Sequence, residues 1–277
     1  MKPSEFDYIR AADVEEAVTA LANAGEDARV IAGGQSLGPM LNLRLARPEV
    51  LIDISKTPSL QQIKWDENGL TLKCSATQAA LLADSALLGK QPLLADAMPW
   101  IGHVQTRARG TVCGSLAHAD PAAELPLLFS VMGGSVFARS ARGDREIPSK
   151  DFYLGMFETA LAPDELLLSV RFDLPKVGTG HAFKEVAERH GDFAIVAVAA
   201  MADEGGVTFG LGGVSDRPII VRWEGLDLSG VRDAVEELAV GIDPYDDQKA
   251  DATYRRRLVR KLGTRVATEA LERRHAL

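Results

Sequence analysis

Two stretches of small residues have the composition to hold a phosphate-rich ligand. Ile31–Leu37 reads IAGGQSL, and further along Gly110–Ser115 reads GTVCGS. A pyrophosphate needs several N–H donors at close range. Glycine lets the backbone approach without a Cβ in the way. A nest of amides or a helix N-terminus then supplies partial positive charge. Gly33-Gly34-Gln35-Ser36 precedes a predicted helix, so Ser36 is placed either to cap it or to donate to a phosphate oxygen. Gly110–Ser115 makes the same offer through Thr111, Val112, Cys113, Gly114 and Ser115, with Arg107 and Arg109 just upstream. One such loop is as easily an ordinary strand–turn–helix connection. Two in one chain suggest a pyrophosphate clasped from both sides, as in a flavin or nucleotide protein. Neither loop fits the GxGxxG pattern with a downstream acid that marks a Rossmann site. Gly210-Leu211-Gly212-Gly213 comes nearer but has no helix pattern after it, and reads as a turn.

His118-Ala119-Asp120-Pro121-Ala122-Ala123-Glu124 is a third candidate. Asp120 and Glu124 could accept hydrogen bonds from sugar hydroxyls. They also fit a helix start with Asp120 as cap, Pro121 at the first position and Glu124 closing a capping box. As a catalytic pair they have little support. His103, His118 and His190 read as structural or surface groups, so the expected catalytic set is none.

Composition narrows the field. The chain has 277 residues, 46% apolar but only 6% aromatic, which predicts a core of Ala, Val and Leu. The net charge of −8 argues against nucleic acid. The basic stretch Arg255–Arg274 has helical spacing and reads as a solvated helix face. No apolar run is long enough to span a membrane, and Met1–Arg10 lacks the apolar segment of a signal peptide, so the cytoplasm is expected. Cys74 and Cys113 are the only cysteines. An iron–sulfur cluster needs four thiolates, so none is expected here, nor any other metal site.

The elements that must position these residues follow from periodicity. Asp13 and Glu16 open a helix whose apolar face is Val14, Ala17, Val18, Leu21 and Ala22, with Gly25 as its stop. Strands are predicted over Arg29–Ala32, Val50–Ile54, Gly69–Ser75, Ser135–Ala138 and Leu166–Leu174. Helices are predicted over Ser36–Ala46, Gln78–Leu88, Pro92–Gly102 and Ala122–Met132. The β-α-β opening indicates α/β or α+β. Beyond the turn-rich Pro175–Gly180, strands are expected over Ala182–Ala187, Phe193–Met201, Val207–Leu211 and Ile219–Val221, then helices over Ser229–Val240 and Ala252–Leu271.

Ile31–Ile54 and Ile101–Pro126 closely resemble the FAD-binding medium subunit of the molybdenum hydroxylases, of the carbon monoxide dehydrogenase and xanthine dehydrogenase type. The likeness continues through Thr159–Leu168, Phe183–Ala194, Leu211–Pro218 and Tyr254–Leu271. It implies an α+β fold: a vanillyl-alcohol-oxidase-type FAD-binding domain over 1–175, made of two α/β subdomains at about 1–55 and 56–175. A smaller C-terminal α+β domain would follow over 176–277. It implies that Ala32, Gly33, Gly34, Gln35, Ser36 and Leu37, with Thr111–Ser115, clasp the pyrophosphate and ribityl chain. Asp120 and Glu124 would meet the sugar hydroxyls. Ile101 would flank the adenine, with Leu161 or Leu167 opposite. Lys184 and Phe193 would lie near the isoalloxazine ring.

The likeness further implies a flavin that takes electrons from two [2Fe–2S] clusters on a small subunit and passes them to an external acceptor. Hydroxylation would occur at a molybdenum cofactor on a large subunit, the three subunits forming a heterotrimer that pairs into a hexamer. Cys113 departs from the family pattern, which has glycine there. Cysteine would be strained if that position needs φ > 0; otherwise it packs beside the flavin. No histidine stands ready for covalent attachment, so the FAD is expected to be non-covalent. The alternative is a stand-alone FAD oxidase of the same fold.

Overall fold

The computed structural model describes residues 2–275. Met1 and residues 276–277, the outer ends of the two expected domains, lie outside the described residues. β1 (Asp7–Arg10), β2 (Ala28–Ile31) and β3 (Val50–Asp53) form a parallel sheet in the order β1-β3-β2. Between its strands lie α1 (Val14–Ala24) and α2 (Leu37–Asn42). The Asp13 carboxylate caps α1 as predicted, accepting from Glu16 N–H at 2.8 Å, but the Glu16 carboxylate accepts from Ala12 N–H at 2.7 Å, so the reciprocal bond falls one residue before the cap. The buried face of α1 is Val14, Ala17, Val18 and Leu21 as expected, but Ala20 takes the place of Ala22, which is exposed.

α2 stops well short of Ala46, because Arg44 adopts a left-handed φ of 58° and turns the chain out of the helix. Ser36 makes no side-chain capping bond.

A five-stranded antiparallel sheet follows, built from β4 (Ile63–Asp66), β5 (Gly69–Lys73), β6 (Gly134–Ser140), β7 (Gly143–Pro148) and β10 (Leu166–Phe172), in the order β4-β5-β10-β6-β7. Its helices are short: α3 (Gln78–Leu82), α4 (Leu87–Lys90), α5 (Pro92–Ala97), α6 (Val104–Arg109), α7 (Val112–His118) and α8 (Glu124–Met132). The two long helices expected over residues 78–102 are therefore broken into pieces. β8 (Tyr153–Gly155) and β9 (Glu158–Thr159) make a small hairpin.

The last sheet is antiparallel, in the order β11-β12-β13-β14, from β11 (Gly180–Val186), β12 (Val196–Asp203), β13 (Gly206–Gly212) and β14 (Ile219–Glu224). α9 (Val231–Gly241) and α10 (Ala252–His275) complete the fold, α10 lying along β11 and β12. The sheet's other side receives α8. This explains Gly210, which lies inside β13 rather than in a turn. A Cβ there would stand 2.7 Å from Leu127 Cδ1 and would overlap Val131 of α8. Phe183, Ala197 and Ala199 accordingly join the core of the first 172 residues, while Ala182, Val198 and Ala200 join the core under α10. No helix among the described residues is long and apolar enough to cross a membrane.

The basic helix is not uniformly solvated. Arg255 is 1% exposed, and Arg260, Arg265 and Arg273 pair with Glu236, Glu269 and Asp96.

Candidate functional site

The two glycine loops meet. A Cβ on Gly33 would overlap the Arg109 carbonyl oxygen and stand 2.8 Å from Gly110 Cα. The first loop follows parallel strand β2, and Gly34 takes a left-handed φ of 70° to turn it towards α2. The second is the entrance to α7. Thr111 is the helix N-cap, its Oγ1 accepting from Gly114 N–H at 2.9 Å. The small residues that hid this helix from its periodicity are the ones that make the cap tight, since a Cβ on Gly114 would crowd Thr111 Oγ1 at 2.6 Å.

Together the loops wall a cleft of about 820 Å³. Ala32, Gly33, Gly34, Gln35, Ser36, Leu37, Thr111, Cys113, Gly114 and Ser115 line it, and so do Ile101, Leu161, Leu167, Glu124 and Phe193. In the described residues the N–H groups of Ala32, Gly33, Gly34, Gln35 and Ser36 have no protein acceptor. A run of backbone donors left free at a glycine loop can receive the oxygens of an anionic ligand.

Three expected site residues lie elsewhere. Val112 is fully buried behind the cleft wall, its N–H donating to Ala76 C=O. Asp120 sits in a turn, its Oδ1 accepting from Ala122 N–H at 2.9 Å. α8 begins only at Glu124, so Asp120 is not its cap and the expected capping box does not form. Lys184 points to the α10 side of the last sheet and pairs with Glu269 at 3.0 Å. Alternation along β11 explains this, because Phe183 and Glu185 occupy the opposite face.

Cys113 is unstrained. It lies in the first turn of α7 with ordinary φ, and its thiol donates to Leu72 C=O at 3.5 Å. Burial pushes the Cys113 thiol well above the usual range. Glu124, 4% exposed, is pushed up to about 7 by burial and to a lesser degree by Asp120. Glu185 is pushed up to about 8 by burial and by Glu124.

Gln78 and Phe157 line the cleft without having carried a sequence signal, and His118, read from the sequence as a structural or surface group, lines it too. Gln78 is buried and its Oε1 has no partner among the described residues. It stands beside Gly110, whose carbonyl accepts from Gln78 N–H at 2.8 Å. His118 lines the cleft with its ring 5.0 Å from Phe157, and burial lowers its pKa. Phe157 holds a left-handed φ of 57°, uncommon for an aromatic residue, with its N–H on Ala119 C=O at 3.0 Å.

Residues 4–175 match the model of the FAD-binding domain in molybdopterin dehydrogenases, and the chain belongs to that family. It is an FAD-binding medium subunit of the molybdenum hydroxylase type, with a dehydrogenase's place in oxidoreductase chemistry. It is 37% identical to the 6-hydroxypseudooxynicotine dehydrogenase complex subunit alpha of Paenarthrobacter nicotinovorans, over 99% of this chain and 97% of that one. It is 32% identical to the carbon monoxide dehydrogenase medium chain of Afipia carboxidovorans, over 93% and 94%. A solved chain of carbon monoxide dehydrogenase from Hydrogenophaga pseudoflava superposes with a TM-score of 0.93, at 29% identity and 99% coverage of both chains.

Proposed function

We propose that this chain holds FAD non-covalently and relays electrons from the [2Fe–2S] clusters of a small partner subunit to an external acceptor. A large partner subunit carries the molybdenum cofactor and the hydroxylation chemistry, and the heterotrimer pairs into a hexamer. The observation that carries this reading is the row of unsatisfied N–H groups from Ala32 to Ser36 facing α7 across one cleft.

The residues present fit the cofactor. The amides of Ala32–Ser36 would bind the diphosphate oxygens, with Ser36 and Ser115 hydroxyls beside them. The cleft wall made by Gly33 and Gly34 presents no side chain to obstruct that approach. Ile101 with Leu161 or Leu167 would sandwich the adenine. The Glu124 carboxyl, pushed up to about 7 by burial, can take both protonation states near neutral pH and so can donate to or accept from a sugar hydroxyl. Phe193 stands half exposed at the cleft and would cover the isoalloxazine ring. When bound, the flavin supplies exchange between one-electron and two-electron carriers, and the protein orients it. Residues 1–175 hold the cofactor on this reading, and 176–277 form the second domain.

The test is chemical. The full chain should purify with flavin or take up FAD stoichiometrically, and denaturation should release all of the yellow chromophore. Iron and molybdenum should accompany the native complex. A colourless chain that cannot be reconstituted with FAD would reject the reading. Flavin without iron or molybdenum in the native preparation would favour a stand-alone oxidase.

A further inference from the structure

The geometry points to Arg255 as a positioning residue for the cofactor cleft, acting from the C-terminal helix through two loops. This rests on the reading of the cleft as the FAD site. Arg255 lies in the first turn of α10 and is almost completely buried. Its Nη1 donates to Ile195 C=O at 2.5 Å and to Gly213 C=O at 2.6 Å. Its Nη2 pairs with Asp247 at 2.6 Å, and the guanidinium lies 4.5 Å from the Tyr245 ring centroid.

Both carbonyls belong to segments that shape the cleft. Ile195 closes the loop that brings Gly191, Asp192 and Phe193 to the cleft wall. That loop reaches across to the first domain, where His190 meets Trp100 with ring centroids 5.1 Å apart. Lys249 adds a contact from its Nζ to Phe193 C=O at 3.4 Å. Gly213 N–H in turn donates to Pro121 C=O at 2.8 Å, in the turn that leads into Glu124. One guanidinium therefore ties together the wall segment carrying Phe193 and the support of the segment carrying Glu124.

The chemistry of the residue suits this task better than it suits bulk stability. Arg255 is buried, but its ion-pair partner Asp247 is more than a third exposed, so the pair is screened by water and a weak source of net stability. A planar guanidinium fixes the directions of the groups it binds, which an ammonium or a thioether does not. Arg255 thus gives the C-terminal domain a part in the cofactor site that its distance from the glycine loops conceals.

The experiment compares Arg255→Met and Arg255→Lys in the full chain, with FAD as the probe. Affinity is read by flavin fluorescence, and local order by amide hydrogen exchange. Arg255→Met should weaken FAD binding about tenfold. The amides of Asp192–Ala194 should exchange at least tenfold faster, while those of β13 do not change. In a Phe193→Ala background the Arg255→Met effect on affinity should shrink to within twofold, because the positioned side chain is gone. Arg255→Lys should weaken binding about threefold with the same exchange signature, and it stands in should the Met variant fail to fold.

Equal losses in both backgrounds would overturn the proposal, as would wild-type affinity and exchange in Arg255→Lys. If the wild-type chain binds no FAD, the cofactor reading itself has failed. The exchange comparison then still decides whether Arg255 orders the 192–194 loop.

Discussion

Replacing Gly33 by alanine tests how closely the two loops must approach. Gly33 has no left-handed φ, so the new methyl meets no backbone penalty of its own. It meets the other loop. The added Cβ would overlap the Arg109 carbonyl oxygen and stand 2.8 Å from both the Arg109 carbonyl carbon and Gly110 Cα. Carbon atoms in good contact sit about 3.5–4.0 Å apart, so the loops must separate by roughly 1 Å. A hydrogen bond of about 2.9 Å stretched by that much is no longer one.

Losing two bonds to a charged pyrophosphate removes about 3–6 kcal/mol of binding, at roughly 1.5–3 kcal/mol each. FAD affinity should therefore fall at least about 100-fold. The fold should lose only about 1–3 kcal/mol, as in other overpacked sites. Gly38→Ala is the control. It lies one turn further on in α2, where an added Cβ meets nothing within 4 Å. It should leave affinity unchanged and stabilise by about 0.5–1 kcal/mol through the better helix former. Fluorescence titration with FAD and thermal melts of both apoproteins measure this. Wild-type affinity in Gly33→Ala, or an equal loss in Gly38→Ala, would show that the spacing of the two loops does not set FAD affinity.

Three further outcomes follow from the site. Gly34→Val should abolish FAD binding and lower the melting temperature, because its φ of 70° is strained for any branched side chain; normal flavin content would show that the loop does not touch the pyrophosphate. Glu124 should make the apoprotein pH-sensitive. Its folded pKa of about 7 lies above the ordinary 4.5, so its stabilising share is full below about pH 4.5 and is lost as pH rises through 7. The difference is on the order of 3 kcal/mol at about 1.4 kcal/mol per unit, and Glu124→Gln should flatten the stability profile by that amount; a wild-type slope in the variant would contradict it. Cys113 should resist thiol reagents in the native protein at pH 8 and react only on unfolding, given its burial and raised pKa; rapid native labelling would show that the thiol faces the cleft.

Much of the site was legible because its signals are local. The Asp13 cap and the glycine loops are each set by a few adjacent residues. What was hidden depends on contacts between distant segments. Gly33 was expected to make room for phosphate, yet its nearest constraint is the Arg109 carbonyl on the other loop. α7 lacks helical periodicity in its small residues, and only the Thr111–Gly114 cap reveals it. Asp120 read as the cap of the helix that Glu124 opens, but α8 starts at Glu124 and leaves Asp120 in the preceding turn. Lys184 carried no local signal for its direction, which strand parity along β11 sets towards Glu269. Arg255 read as one charge in a basic face, and its burial comes from Ile195, Gly213 and Asp247, none of them near it on its own helix.

The central claim is that the cleft between the two loops holds the diphosphate of FAD. A crystal structure of the FAD-loaded chain or its native complex tests it most directly. Diphosphate oxygens should lie about 2.7–3.2 Å from at least two N–H groups of Ala32–Ser36, with the adenine beside Ile101. A flavin bound elsewhere on the chain, with those amides left to solvent, would contradict the account.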